Sequence, residues 1–275
     1  MNNEEYSCAE LKEENGVLTI SLNRPASRNA LNLKMVEELE SILQSIAEDL
    51  SIRCLVLRGN GGHFCAGGDI KDMAIARNQP FLEGERLSDP IARLNRRFGD
   101  VITALRQAPQ TVVVVVQGAA MGGGFGLVCA ADFVLADHSA SFRLPETTLG
   151  LPPAQIAPFL VERLGLIVAK QCALTGARLS AEEAHHKGLV DRLCEDEAAL
   201  ESELNGLLRS ILRCAPAASR ITKSLLLSIA DHNLSASENL DRGATLFADA
   251  TRSKEGIEGI MAFMQKRSPS WNQPT

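Results

Sequence analysis

A chain of 275 residues has the length for one sizeable hydrophobic core with an appended helical piece, because single cores stop growing at roughly 250–300 residues. Its 28 Lys and Arg stand against 34 Asp and Glu, a net charge of −6, so no general field draws it to nucleic acid or to an anionic membrane, and any anionic ligand must be met by a local basic cluster. The longest strongly apolar run, Val112–Val116, is too short to span a bilayer; residues 1–14 lack the apolar centre of a leader peptide, and seven scattered cysteines without a C-x-x-C pair fit a reducing cytoplasm.

In chain order, Val17–Leu22 has strand composition and is closed by Asn23-Arg24-Pro25. A helix is predicted next, capped by Asn32, with Leu33, Val36, Leu39, Ile42, Leu43 and Ile46 forming one apolar stripe. A short buried strand at Cys54–Arg58 leads into a glycine-rich loop, Gly59 to Gly68, while Met73–Asp89 has no clear period. Ile91, Leu94, Phe98, Val101, Ile102 and Leu105 mark a second amphipathic helix ending before Pro109. Val112–Val116 lacks polar alternation and is expected to be buried on both faces. A second glycine cluster at Gly122-Gly123-Gly124 opens an apolar segment to Ala131, and Phe133–Ala136 reads as another strand. Beyond Gly150 the chain turns helical: Ser180 with Glu183 fits a capping box, followed by helices over Leu200–Ile211, Ala217–Ala230 and Glu255–Lys266. This pattern predicts a layered α/β core over 1–200 and a helical region over 201–275 that serves oligomerisation.

Two loops carry the chemical signal, each directly after a buried strand: His63 to Lys71 and Gly118 to Gly126. Glycine lets a ligand approach the main chain and leaves N–H groups unobstructed, so a pair of such amides is a ready oxyanion hole. The second loop opens a helix, whose first N–H groups have no intrahelical acceptor. Taken singly, either loop reads equally well as a tight strand-to-helix turn. A dinucleotide fingerprint is not matched, because Gly122-x-Gly124-x-Gly126 departs from G-x-G-x-x-G, and no Gly-Lys-Ser/Thr follows to make a Walker loop.

The ordered set Leu22-Asn23-Arg24-Pro25 with Asn29-Ala30-Leu31, Phe64 to Lys71, Gly122-Gly123-Gly124, Leu144-Pro145-Glu146 with Leu149-Gly150, and Glu258 to Phe263 resembles the enoyl-CoA hydratase/isomerase (crotonase) family over nearly the whole chain. The resemblance implies a spiral of ββα units followed by a C-terminal helical trimerisation region, assembled as a homotrimer or a dimer of trimers. It implies an acyl-CoA thioester substrate, with no cofactor besides the coenzyme A that the substrate carries, and no metal. It places the oxyanion donors on the N–H groups of Gly68 and Gly123 and the acid–base role on Glu146. Ala66, Asp69, Ile70 and Lys71 would line the CoA path, with Arg28 near its phosphate end. Lys266 would reach the CoA phosphates of the same or a neighbouring subunit, and Phe263 would cover the acyl pocket.

One departure bears on the reaction. Two-carboxylate hydratases of the family carry an additional glutamate two residues after the GGG run, where this chain has Gly126. With Glu146 alone, either hydration by one carboxyl that both donates and accepts, or movement of a double bond between the 3 and 2 positions, is open; burial among Leu144, Pro145 and Leu149 would raise its pKa. The strings Gly61 to Met73, Gly122 to Gly126 and Leu144 to Phe159 are similar to isohexenylglutaconyl-CoA hydratases of acyclic terpene breakdown, which implies a branched substrate with a second carboxylate. Gly126 would then free volume for the branch. Arg143 is the candidate cation for that carboxylate, and Gln155 with the backbone of Ala154 would hold the attacking water. His63 is expected to be structural and Cys65 a buried thiol, while His185-His186 lacks partners at metal-ligand spacing. A non-catalytic CoA- or RNA-binding homologue is the contrasting class; the acidic balance and the retained Glu146 argue against it.

Overall fold

The computed structural model describes residues 6–272. The chain starts with an antiparallel pair, β1 (Ala9–Glu14) and β2 (Val17–Leu22), and then runs α1 (Leu33–Ile46), β3 (Cys54–Gly59), α2 (Ile70–Arg77), α3 (Pro90–Gln107) and β4 (Thr111–Val116). The short β5 (Ala119–Met121) and α4 (Gly123–Cys129) follow, then β6 (Phe133–Asp137), β7 (Ser141–Arg143), α5 (Ala157–Thr175), β8 (Arg178–Ser180), α6 (Ala181–His186) and β9 (Arg192–Cys194). Four helices close the chain: α7 (Glu197–Leu212), α8 (Pro216–Ala230), α9 (Ala236–Arg252) and α10 (Lys254–Met264). The main sheet has the order β1-β2-β3-β4-β6-β9 and is parallel from β2 onward; a smaller sheet has the order β5-β7-β8. Repeated strand–strand–helix units thus stack a small sheet against a large one, the crotonase-like α/β spiral.

The unbroken valine run of β4 follows from burial on both faces. Val112, Val114 and Val116 join Leu18, Ile20, Leu55, Leu57 and Val134 in the core under α1 and α3. Val113 and Val115 point the opposite way, into a second core with Val56 and Leu135 that α7 closes with Leu200, Leu204 and Leu207. Helix α7 therefore packs on the main sheet, and the expected division at 200/201 falls inside it. Asn32 caps α1 through Met35 N at 2.9 Å, and the Ser180–Glu183 capping box is formed at α6. Strand β1 has no alternating apolar pattern to announce it, because only Ala9 and Leu11 of its six residues are buried. Its approach is held instead by the buried carboxylate of Glu38 on α1, which accepts the N–H groups of Ser7, Cys8 and Ala9 at 3.0, 2.8 and 3.1 Å.

Helix α8 is tied to the end of the sheet by cations. Lys223 Nζ lies 2.6 Å from Asp132 Oδ2 and donates to Gln110 O, while Arg220 donates to Asp49 O and Ile52 O. Helix α9, unforeseen in sequence, has no buried residue. With Leu240, Phe247, Phe263 and Met264 each more than two-thirds exposed, α9 and α10 present a broad apolar face. Among the described residues, no helix is long and apolar enough to cross a membrane.

Candidate active site

The two glycine loops meet through the main chain. Cys65 N donates to Ala119 O and Met121 N donates to Cys65 O, both at 2.8 Å, making a parallel bridge between Cys65 and Ala120. Gly68 and Gly123 each lie three residues beyond this pair, so the register that joins the loops also brings both amides to the wall of one cavity. Among the described residues neither N–H has a protein acceptor; Gly123 is the first residue of α4, where none is expected. The close approach requires glycine at particular points. Gly67 has φ +100° with Met121 O only 3.0 Å from where a Cβ would stand, and a Cβ on Gly124 would come within 2.6 Å of Cys65 O.

Glu146 opens the turn after β7 and lies over this junction: its Oε1 is 2.9 Å from the position a Cβ would take on Gly122. Its Oε2 is buried without a hydrogen-bond partner among the described residues. Burial holds the Glu146 carboxyl above the usual carboxylate range. Leu144 is buried as expected, but Leu149 is 64% exposed and does not enclose the carboxyl. The cavity, about 140 Å³, is floored by Leu31, Val36, Leu94, Phe98 and Ile156. A free amide pair beside one buried carboxyl in an apolar pocket can hold negative charge on a carbonyl oxygen while a proton moves at a neighbouring carbon.

The enoyl-CoA hydratase/isomerase family profile matches residues 12–274. The chain belongs to that family. The 2,3-dehydroadipyl-CoA hydratase of Escherichia coli K12 is 33% identical to this acyl-CoA enzyme over 256 residues, covering 93% of this chain and 94% of its own. The 1,2-epoxyphenylacetyl-CoA isomerase of the same strain is 32% identical over 259 residues, 94% and 95% of the two chains. Among solved structures, an enoyl-CoA hydratase/isomerase from Marinobacter aquaeolei superposes with a TM-score of 0.93 at 48% identity, covering 97% of this chain and 99% of that one. Pseudomonas aeruginosa AtuE gives 0.91 at 48% identity, covering 97% and 100%.

Within this candidate site the residues expected from sequence divide. Gly68, Asp69, Gly123, Glu146, Ala154 and Gln155 line the cavity. Asp69 caps α2 through Lys71 N at 3.1 Å and pairs with Arg24 at 3.0 Å; burial opposes its ionisation, but the hydrogen bonds from Arg24 and Lys71 N together with the charges of Arg24 and Lys71 outweigh this and hold it below the usual range. Ala66 is fixed by donating to Arg28 O, and the Arg28, Ile70 and Lys71 side chains are exposed beside the loop. Phe263 and Lys266 are exposed and do not line the cavity of their own chain.

Arg143 is not brought to the cavity: its Nε donates to Gly176 O at 2.7 Å, because the pairing of β7 with β8 carries it toward the turn after α5. Nor does Gly126 leave space for a substrate branch, since Ile102 Cδ1 and Ile156 Cγ1 stand 3.0 Å from its absent Cβ and fill that volume. His63 Nδ1 accepts the N–H of Ala119, a structural task, and burial pushes the Cys65 thiol up to about 12. The sequence reading missed the contributions of Asn95, Phe98 and Asp72; a glycine in mid-helix, Gly99, was the available signal for the first of these.

Proposed function

We propose that the enzyme adds water across the 2,3 double bond of an enoyl-CoA, and that its substrate is a branched, 3-substituted glutaconyl-CoA such as isohexenylglutaconyl-CoA of acyclic terpene breakdown. The observation that carries this reading is the pair of unpaired amides, Gly68 N–H and Gly123 N–H, sharing one cavity with the buried, unpartnered carboxyl of Glu146. As water adds at C3, electrons move through C2 onto the thioester oxygen, where the two amides stabilise the charge. Glu146, whose proton affinity burial raises, delivers a proton to C2 and takes one from the attacking water, which the backbone carbonyl of Ala154 holds while its N–H is taken by Pro152 O. The similarity of the loop strings to isohexenylglutaconyl-CoA hydratases supports the branched substrate. The dicarboxylic acyl group in the name of the 33% identical dehydroadipyl-CoA hydratase supports a second carboxylate.

A homotrimer or dimer of trimers in the cytoplasm belongs to the same proposal, supported by the apolar face of α9 and α10. Movement of a double bond between the 3 and 2 positions is the second reading, favoured by the absence of a carboxylate at Gly126. Glu146→Gln, with turnover and CoA-ester binding measured separately, tests the assignment. Turnover falls about 10²- to 10⁴-fold with binding retained; unchanged turnover overturns the role of Glu146. Fast isomerisation of a straight-chain 3-enoyl-CoA by the wild-type enzyme, without water addition to a 3-substituted glutaconyl-CoA, overturns hydration.

A further inference from the structure

The cavity carries three carboxylates, Asp69, Asp72 and Glu146, and among the described residues no Lys, Arg or His lines it. A substrate with a second carboxylate therefore meets no cation here, and the expected one, Arg143, is held by Gly176 O. What the lining offers instead is carboxamides. Asn32 is committed through Oδ1 to capping α1, but Asn95 and Gln155 bond to each other, Gln155 Nε2 to Asn95 Oδ1 at 3.0 Å. That bond leaves Asn95 Nδ2 with no protein acceptor among the described residues and Gln155 Nε2 with a second N–H to donate.

The pair is built into the fold. Gln155 lies across α3 at Gly99, where a Cβ would come within 2.1 Å of Gln155 Oε1 and 2.8 Å of its Cδ. Glycine is a poor residue for the interior of an 18-residue helix, and the seat it makes for Gln155 accounts for it. Asn95 stands one turn before Gly99 on the same helix, exposed at the rim, while Phe98 beside it reaches within 3.0 Å of the absent Cβ of Gly123. The cavity thus runs from the oxyanion amides, past Phe98, to a polar rim.

We propose that Asn95 and Gln155 form a neutral specificity element that receives the distal carboxylate of the acyl group through amide N–H donors. This rests on the dicarboxylic substrate inferred above, and it gives Gln155 a role different from the water-holding one expected from sequence. Neutral donors suit this site for an electrostatic reason: a fixed cation in the same small cavity would draw Glu146 toward its charged form, whereas amides bind a carboxylate without adding charge.

The test compares a 3-alkylglutaconyl-CoA with its distal methyl ester, which has the same carbon chain and no distal charge, in the wild type and in Asn95→Leu, Gln155→Leu and Gly99→Ala. The wild type prefers the acid. Each variant raises KM for the acid about 10- to 100-fold, the loss of hydrogen bonds to a charged group, and leaves kcat and the ester's KM within about twofold. Gly99→Ala is the control for folding: alanine is the better helix residue and displaces only the flexible end of Gln155, so a raised KM with an undiminished Tm reports the lost seat. If the wild type prefers the acid and all three variants keep that preference, the role of the amide pair is overturned while the dicarboxylic substrate stands. If the wild type shows no preference for the acid, the dicarboxylic substrate falls, and this proposal with it.

Discussion

Reinstalling a side chain at Gly126 tests whether packing or chance leaves the site with one carboxylate. Gly126 lies in α4, with every residue of that helix buried, and its missing Cβ would touch Ile102 Cδ1 and Ile156 Cγ1, both at 3.0 Å. Gly126→Ala sets two effects against each other: a gain of about 1 kcal/mol in helix propensity and an overpacking cost of about 1–3 kcal/mol. The net is a destabilisation of roughly 0–2 kcal/mol, small because Ile102 presents the free end of its side chain. Gly126→Glu adds a carboxylate between two isoleucines, with no cation lining the cavity to pair with it. An uncompensated buried charge costs about 3–5 kcal/mol, which for a chain of this size lowers Tm by roughly 2–4 °C per kcal/mol. To reach the substrate it must also move Ile156 out of the cavity wall. Thermal unfolding together with hydration kinetics measures both consequences: Gly126→Glu is markedly less stable and no faster. A Gly126→Glu variant as stable as wild type with an increased hydration rate would refute the packing argument and make the second-carboxylate position an open one.

Glu146 also links pH to stability. Its folded pKa is raised by burial, so between the unfolded value, roughly 4.3, and the raised folded value the native state binds more protons. Stability from this group falls as pH rises through that window and is lowest above it. Glu146→Gln is therefore more stable than wild type at pH 7–8, with the difference vanishing below about pH 4; a pH series of denaturant midpoints checks this, and an unchanged or reversed difference contradicts it. Glu38→Ala deletes the acceptor of three N–H groups at the start of β1 and is expected to cost about 2–4 kcal/mol. Hydrogen exchange should accelerate first in β1, and uniform acceleration would assign the loss elsewhere.

How far the sequence reaches depends on where the chemistry resides. The paired free amides of Gly68 and Gly123 were legible because main-chain donors in close-packed loops demand glycine, as Gly67 and Gly124 do against Met121 O and Cys65 O, and glycine is visible in a sequence. Glu146 was legible for its place beside Pro145 within a recurring string. The acyl pocket was not. On α3, Leu94, Phe98 and Ile102 share one apolar stripe, yet Leu94 and Phe98 wall the cavity while Ile102 packs on Gly126. Periodicity separates buried from exposed faces but does not separate core from cavity. Arg143 misled for a related reason. Three residues before Glu146 is close in sequence, but a strand sends alternate side chains to opposite faces and pairs with its own neighbours, here β8 and the turn at Gly176.

The same contrast explains how one family scaffold accommodates different acyl groups. The part that carries the free amides is made of backbone held by inter-loop hydrogen bonds, Cys65 N to Ala119 O and Met121 N to Cys65 O, so side-chain changes nearby leave it in place. The acyl-facing part comes from α3 and the Leu151–Ile156 segment, which the oxyanion amides do not need for their own geometry. Substitutions at Asn95, Phe98 or Gln155 are therefore expected to alter what enters without disturbing the free amides of Gly68 and Gly123. Gly126 stands at the join of the two parts. Ile102 closes over it from the core and Ile156 from the cavity wall, so adding the glutamate alone is not expected to give a second working carboxylate.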